Sequence, residues 1–167
     1  MQTRASKEGV FTEGDIQDVI IYPLRKHADQ RGWLAELFRR DEIAEEFFPA
    51  MAYISVTEPN VTRGPHEHYD QADLFCFIGA GTFKLRLWDN REGSPTFRNV
   101  LTMYVGADNP HAVIIPKGIV HAYKNISETE QGIVINCPNR LFMGDGKREA
   151  VDEIRYEDDP DTIYRMD

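Results

Sequence analysis

The stretch RGPHEHYDQAD, residues 63 to 73, places Arg63, His66, His68, Asp70 and Asp73 directly ahead of an apolar run, LFCFIGAG. Imidazoles and carboxylates at this density suit two kinds of chemistry. Neutral imidazoles, with or without a carboxylate, can ligate a divalent cation. A neutral His can equally serve as a general base near pH 7, with an arginine alongside to hold an anionic group. Residues two apart on a strand face the same side. His66 and His68 therefore point together, and both chemistries stay open.

A second stretch, IPKGIVHAYKN, residues 115 to 125, carries Pro116, Gly118, His121 and Asn125. Pro and Gly make a rigid turn, which feeds a strand whose His points inward. H-x-H followed downstream by P-x-G-x-x-H is the pattern of the cupins, small β-barrels in which two halves each supply part of one internal site. On that pattern His66, His68 and His121 converge in the lumen. The metal alternative asks for one more ligand, a carboxylate at a set interval before a Gly. Counting back from Gly79 reaches Ala72, which has no donor atom. Asp73 is one residue off, and a one-residue shift turns a side chain to the opposite face unless a bulge corrects it. Three His without a carboxylate still suffice for a cation.

The elements that must carry these residues are strands. DVIIYPL, GWLAELF, AYISVTE, DLFCFIGAGTFKLRLW, NVLTMYV, HAVIIP, GIVHAYKNI and QGIVINC are short and rich in β-branched and aromatic residues, with Gly, Pro, Asn and Asp clusters between them. Such spacing predicts an all-β sandwich or barrel, not alternating βα units. In FKLRLW, Lys84 and Arg86 alternate with apolar residues, which predicts a solvated face. RRDEIAEEFF predicts a short helix, with Asp41 as N-cap, early glutamates and Pro49 as its end. The acidic tail from Met143 is expected to wrap the surface or to pack on a second subunit. A single domain over residues 1–167 follows, with N-terminal strands at about 15–40, a barrel at about 50–138 and a tail at about 143–167.

Composition narrows the partners. The chain of 167 residues has a formal charge of −9, which repels nucleic acid and anionic lipid. An anionic small molecule can bind only where local arginines outweigh that field. Cys76 and Cys137 lie far apart in apolar segments and read as reduced, buried thiols. The N-terminal MQTRASKEG has no apolar leader, and no window is long and apolar enough for a membrane span, so a cytoplasmic location is expected.

Four ordered stretches resemble the dTDP-4-dehydrorhamnose 3,5-epimerase family, a cupin-like jelly roll. They are DQRGWLAELF (29–38), TRGPH (62–66), DNREGSPTF (89–97), the most specific, and IPKGIVHAY (115–123). The resemblance implies a cupin-type double-stranded β-helix, or jelly-roll barrel, with one or two short helices, and a homodimer built on N-terminal strands. It implies an isomerase acting on a dTDP-4-keto-6-deoxy sugar without a cofactor, by enolisation next to the carbonyl. His66 is then the base, and His121 lines the same pocket as a donor to the keto oxygen. Arg31 and Arg63 hold the diphosphate, with Glu36, Arg140 and Tyr123 completing the substrate-binding set. Asp89 and Arg91 are expected to stabilise their own turn, and Arg31 can alternatively pair with Asp29.

Some family features are absent. The lysine expected after the histidine strand falls at Ala72 or Asp73, and the acid tyrosine meets Pro138, Asn139, Arg140 and Leu141. The preceding Gln and Asn become Met51 and Tyr53, and the aspartate that orients the base has no counterpart at the end of the chain. Two substitutes are available. A divalent metal on His66, His68 and His121, with Asp73 as a further candidate ligand, could polarise the carbonyl. Alternatively, Arg140 could supply charge, and Tyr53, Tyr69 or Tyr123 the acid. The competing functions are a non-catalytic sugar-nucleotide-binding cupin and a metal-dependent cupin enzyme.

Overall fold

The computed structural model describes residues 11–167, so the segment MQTRASKEG, expected to hold no apolar leader, lies outside the described residues. Two sheets face each other. In spatial order the first holds β1 (Thr12–Glu13), β9 (Asn99–Gly106), β8 (Thr82–Asp89), β11 (Ile119–Asn125), β6 (Thr62–Glu67) and β13 (Ile154–Arg155). The second holds β2 (Ile20–Pro23), β10 (His111–Ile115), β7 (Asp73–Phe77), β12 (Gly132–Asn136) and β5 (Tyr53–Thr57). A hairpin of β3 (His27–Asp29) and β4 (Gly32–Leu34) stands apart. This is the expected all-β jelly roll.

The period-two pattern sorts side chains between two layers. Phe75 and Phe77 of β7, Phe83, Leu85 and Leu87 of β8, and Tyr123 of β11 fill the space between the sheets. Burying side chains of this size contributes roughly 1.5–3 kcal/mol each. Leu74, Cys76 and Ile78 point the other way, beneath Leu37, Phe38, Ile43 and Phe47. Both cysteines are buried and free, as expected.

That covering segment differs from the sequence expectation. Over residues 39–48 the helix shrinks to one 3-10 turn, Glu45–Phe47, and Asp41 pairs with Arg39 at 2.8 Å instead of capping it. GWLAELF is a strand only over Gly32–Leu34. The physical reason is shared by both. Leu37, Phe38, Ile43 and Phe47 must reach the outer face of the second sheet, and a cover running across it satisfies them without regular structure.

The tail wraps its own sheet. Tyr156, Ile163, Tyr164 and Met166 pack on Trp88, Val100, Val120 and Ala122. Lys84 and Arg86, expected to be solvated, instead reach tail carbonyls: Arg86 Nη1 donates to Arg165 O at 2.9 Å and Asp167 O at 3.1 Å, and Lys84 Nζ to Met166 O. Among the described residues no helix is long and apolar enough to cross a membrane.

Candidate active site

β6 and β11 lie side by side in antiparallel register, with His66 opposite His121. Their close approach depends on Gly64 at φ +85°, since a Cβ there would sit 2.6 Å from the His121 carbonyl oxygen. The Pro116–Gly118 turn is tied to the same place, because the Gly118 amide donates to His68 O at 3.1 Å. The three imidazoles converge as the spacing predicts. Ring centroids lie 4.5 Å apart for His66 and His121, 5.6 Å for His68 and His121, and 5.7 Å for His66 and His68. Each offers one nitrogen within 4.8 Å of the others.

Asp73, a candidate ligand one residue off the cupin interval, joins them. Its Oδ2 lies 3.0 Å from His68 Nε2 and 3.2 Å from His121 Nε2. Its Oδ1 accepts from Gln71 Nε2 at 2.9 Å and Asn136 Nδ2 at 2.8 Å. The interval to Gly79 does not set the phase of β7. The phase comes from pairing with β10, Asp73 opposite Ile115, and from Phe75 and Phe77 occupying the inner layer with Asp73 in step.

Burial pulls both imidazoles toward neutrality, with different results. At His68 the Asp73 carboxylate and the Asp152 carbonyl overcome it and push the pKa up to about 9. At His121 burial wins, reinforced by His66, and the pKa falls to about 4. Burial alone would raise Asp73, but the two imidazoles hold its carboxyl well below the usual range.

His66 and His68 open onto a cleft of about 1590 Å³, whose walls include Tyr53, Arg63, Tyr69, Tyr123 and Arg140. The cleft's far wall is the tail, which sequence reasoning did not connect to the site. β13 runs along β6, with Arg155 opposite His66. Glu153 and Glu157 therefore bracket His66, each 3.7 Å from its Nδ1. The His66 ring in turn holds the Glu157 carboxyl below its ordinary value. A carboxylate beside His66, expected to be absent, is thus present in the tail. Glu153, Arg155 and Glu157 do alternate at period two, but nothing local says which strand they pair with. Asp152 anchors the arrangement: its carboxylate accepts from the amides of Tyr69, Asp70 and Gln71 at 2.8–3.0 Å, and its carbonyl faces His68 Nδ1.

Other expected residues fall differently. Arg63 is on the wall, donating to Thr57 Oγ1 at 2.9 Å and Val56 O at 2.7 Å. Arg140 Nε donates to Asp70 O at 3.3 Å, and the Tyr123 hydroxyl pairs with Ser55 at 2.9 Å. Tyr53 accepts from Asn136 at 3.0 Å and is pushed up to about 12 by burial, so it keeps its proton at neutral pH. His121, expected to line the pocket, lies beneath its floor and is 1% exposed. Arg31 and Glu36 are not brought to the cleft. Arg31 is exposed and pairs with Asp29, and Glu36 pairs with Arg39 at 3.3 Å.

A two-sheet jelly roll with inward imidazoles from both halves and an open cleft above them defines a cupin-type protein with an enzyme-like pocket. A sequence model described as dTDP-4-dehydrorhamnose 3,5-epimerase matches residues 13–146. The chain belongs to that family. It is 37% identical over 129 residues to a probable low-salt glycan biosynthesis epimerase of Haloferax volcanii, covering 77% of this chain and 81% of that protein. It is 39% identical over 119 residues to the spore coat polysaccharide biosynthesis protein SpsL of Bacillus subtilis, covering 71% and 78%. In fold it is similar to a dTDP sugar isomerase of Desulfovibrio desulfuricans, with a TM-score of 0.75 at 22% identity over 90% of this chain and 91% of the other.

Proposed function

We propose that this protein is a nucleotide-sugar epimerase that inverts a carbon next to the carbonyl of a dTDP-4-keto-6-deoxy sugar, with His66 as base. The observation that carries this reading is His66 at the cleft floor with Nδ1 turned toward Glu153 and Glu157. Two carboxylates favour the proton on Nδ1 and leave Nε2 with a free lone pair. A C–H next to the carbonyl gives its proton to Nε2, the C–H electron pair forms the enolate C=C bond, and the carbonyl π pair moves onto oxygen. Reprotonation from the opposite face completes the inversion. Tyr53 and Tyr123 are the acids within reach of the cleft, and Arg63 and Arg140 supply local positive charge for the diphosphate against the acidic whole. Family membership supports the reading. Base catalysis of this kind contributes about 10²–10⁴-fold.

The protein acts as a homodimer on this reading. The support is β2, an edge strand of the second sheet, which leaves Ile20 and Ile21 40% and 39% exposed.

The test is deuterium incorporation from D₂O into a dTDP-4-keto-6-deoxy sugar, read by NMR. Exchange at C3 or C5 that is lost in His66→Ala supports the enzyme. No exchange by the wild-type protein, together with stabilisation by dTDP alone, would identify a binder instead.

A further inference from the structure

The contacts below the cleft floor have a sign problem. His68 Nδ1 faces the Asp152 carbonyl and His121 Nδ1 faces the Ile119 carbonyl at 3.0 Å. A carbonyl only accepts, so both Nδ1 atoms carry the proton. Without a further proton on Nε2, each imidazole presents a bare lone pair there. Both lone pairs meet the same carboxylate oxygen, Asp73 Oδ2, at 3.0 and 3.2 Å. Neither Asp73 Oδ2 nor His121 Nε2 has a hydrogen-bond partner, although both are buried. Buried polar atoms left open in this way cost free energy and call for a missing partner. A single added proton on His68 answers one contact and leaves His121 against the carboxylate. Two added protons would set two imidazolium rings 5.6 Å apart around a single carboxylate. One divalent cation answers both contacts at once.

We propose that His68 Nε2, His121 Nε2 and Asp73 Oδ2 bind one divalent transition-metal ion, with its open position toward the cleft beside His66. Two imidazoles and one carboxylate are a recurrent donor set for zinc, iron(II) and their neighbours. The shell behind the ligands is already built. Asp152 and Ile119 carbonyls fix the two rings, and Gln71 and Asn136 fix Asp73. Such outer partners set tautomer and aim. The ion supplies positive charge beside the base, which the missing lysine does not. That chemical role rests on the functional reading above, whereas the binding does not.

Untagged protein purified without chelator should carry about one ion per chain by elemental analysis. After chelation, Co²⁺ should restore a visible ligand-field band. His121→Gln and Asp73→Asn should lose that band, and His66→Ala should keep it. Asn136→Ala, which removes a hydrogen bond to Asp73 along with those to Tyr53 and the Leu74 amide, should weaken binding about 10–100-fold. Thermal melting of each variant checks that it is folded. The proposal is overturned if wild-type protein retains no metal and gives no band in excess Co²⁺, or if the band survives in folded His121→Gln. Deuterium exchange by metal-free protein would leave His66 standing as base whatever the metal result.

Discussion

Asp89 and Asp73 are both buried, 0% and 1% exposed, yet they are treated oppositely. Asp89 closes the DNREGSPTF turn. Its Oδ1 accepts from the Arg91 amide and Nε at 3.1 and 2.9 Å. Its Oδ2 accepts from Arg91 Nη2, Ser94 and Thr96 at 3.0, 2.6 and 2.7 Å. Asp73 has one oxygen satisfied and the other aimed at two imidazoles with no hydrogen bond. The first carboxylate spends all its bonding on holding a turn. The second keeps bonding capacity in reserve beside a pocket, and that reserve is where chemistry can enter. Sequence specificity does not separate the two, because the most family-like motif in the chain is the structural one.

Several substitutions break or sharpen that contrast. Asp89→Ala should show the largest effect, a loss of about 3–5 kcal/mol in denaturant unfolding, since it removes the buried carboxylate that accepts from Arg91, Ser94 and Thr96 together. Asp73→Asn should cost less, about 1–2 kcal/mol, because without the carboxylate His68 can give up its proton and both imidazoles become neutral. Equal losses at the two positions would erase the distinction.

Next, the Glu153→Gln/Glu157→Gln double variant should slow solvent exchange about 100-fold, and either single change about tenfold or less, with unfolding unaffected. A double variant that exchanges as fast as wild type would leave the tail as mere cover.

The pH dependence of stability follows from Asp89. Burial raises its carboxyl, but Arg91, Ser94 and Thr96 outweigh burial and lower the pKa to about 2. The folded-state pKa is depressed, so the stabilisation is complete above the ordinary carboxylate value and is lost as pH falls through about 2. Comparing wild type with Asp89→Asn from pH 5 downward should reveal a difference of about 2 kcal/mol that disappears in acid. The smallest effect is expected for Thr96→Val, about 1 kcal/mol by thermal or chemical unfolding, with exchange unchanged.

The two halves of the candidate site were legible in different degrees. H-x-H and P-x-G-x-x-H placed His66, His68 and His121 together because strand alternation and one rigid turn are local rules. Asp73 could be offered only as a further candidate because β7 is buried on both faces, so its composition carries no alternation from which to read a phase. Glu153, Glu157 and Asp152 were not connected to His66 because they act through β13, a two-residue strand whose partner is chosen by the packing of the tail on Trp88 and Val120. The cover over residues 39–48 was misread for a related reason. Its glutamates fit a helix, while Ile43 and Phe47 answer to the sheet beneath.

By itself, then, the chain of residues dictated the strands, the turns and the inward phase of the imidazoles in each half, since each depends on near neighbours along the chain. Folding in three dimensions decided which carboxylates meet those imidazoles and which lone pairs are left without a proton. Those outcomes depend on ladder register and on a tail more than 80 residues from the strand it joins, and burial by distant segments, not local sequence, sets the charge each group can carry.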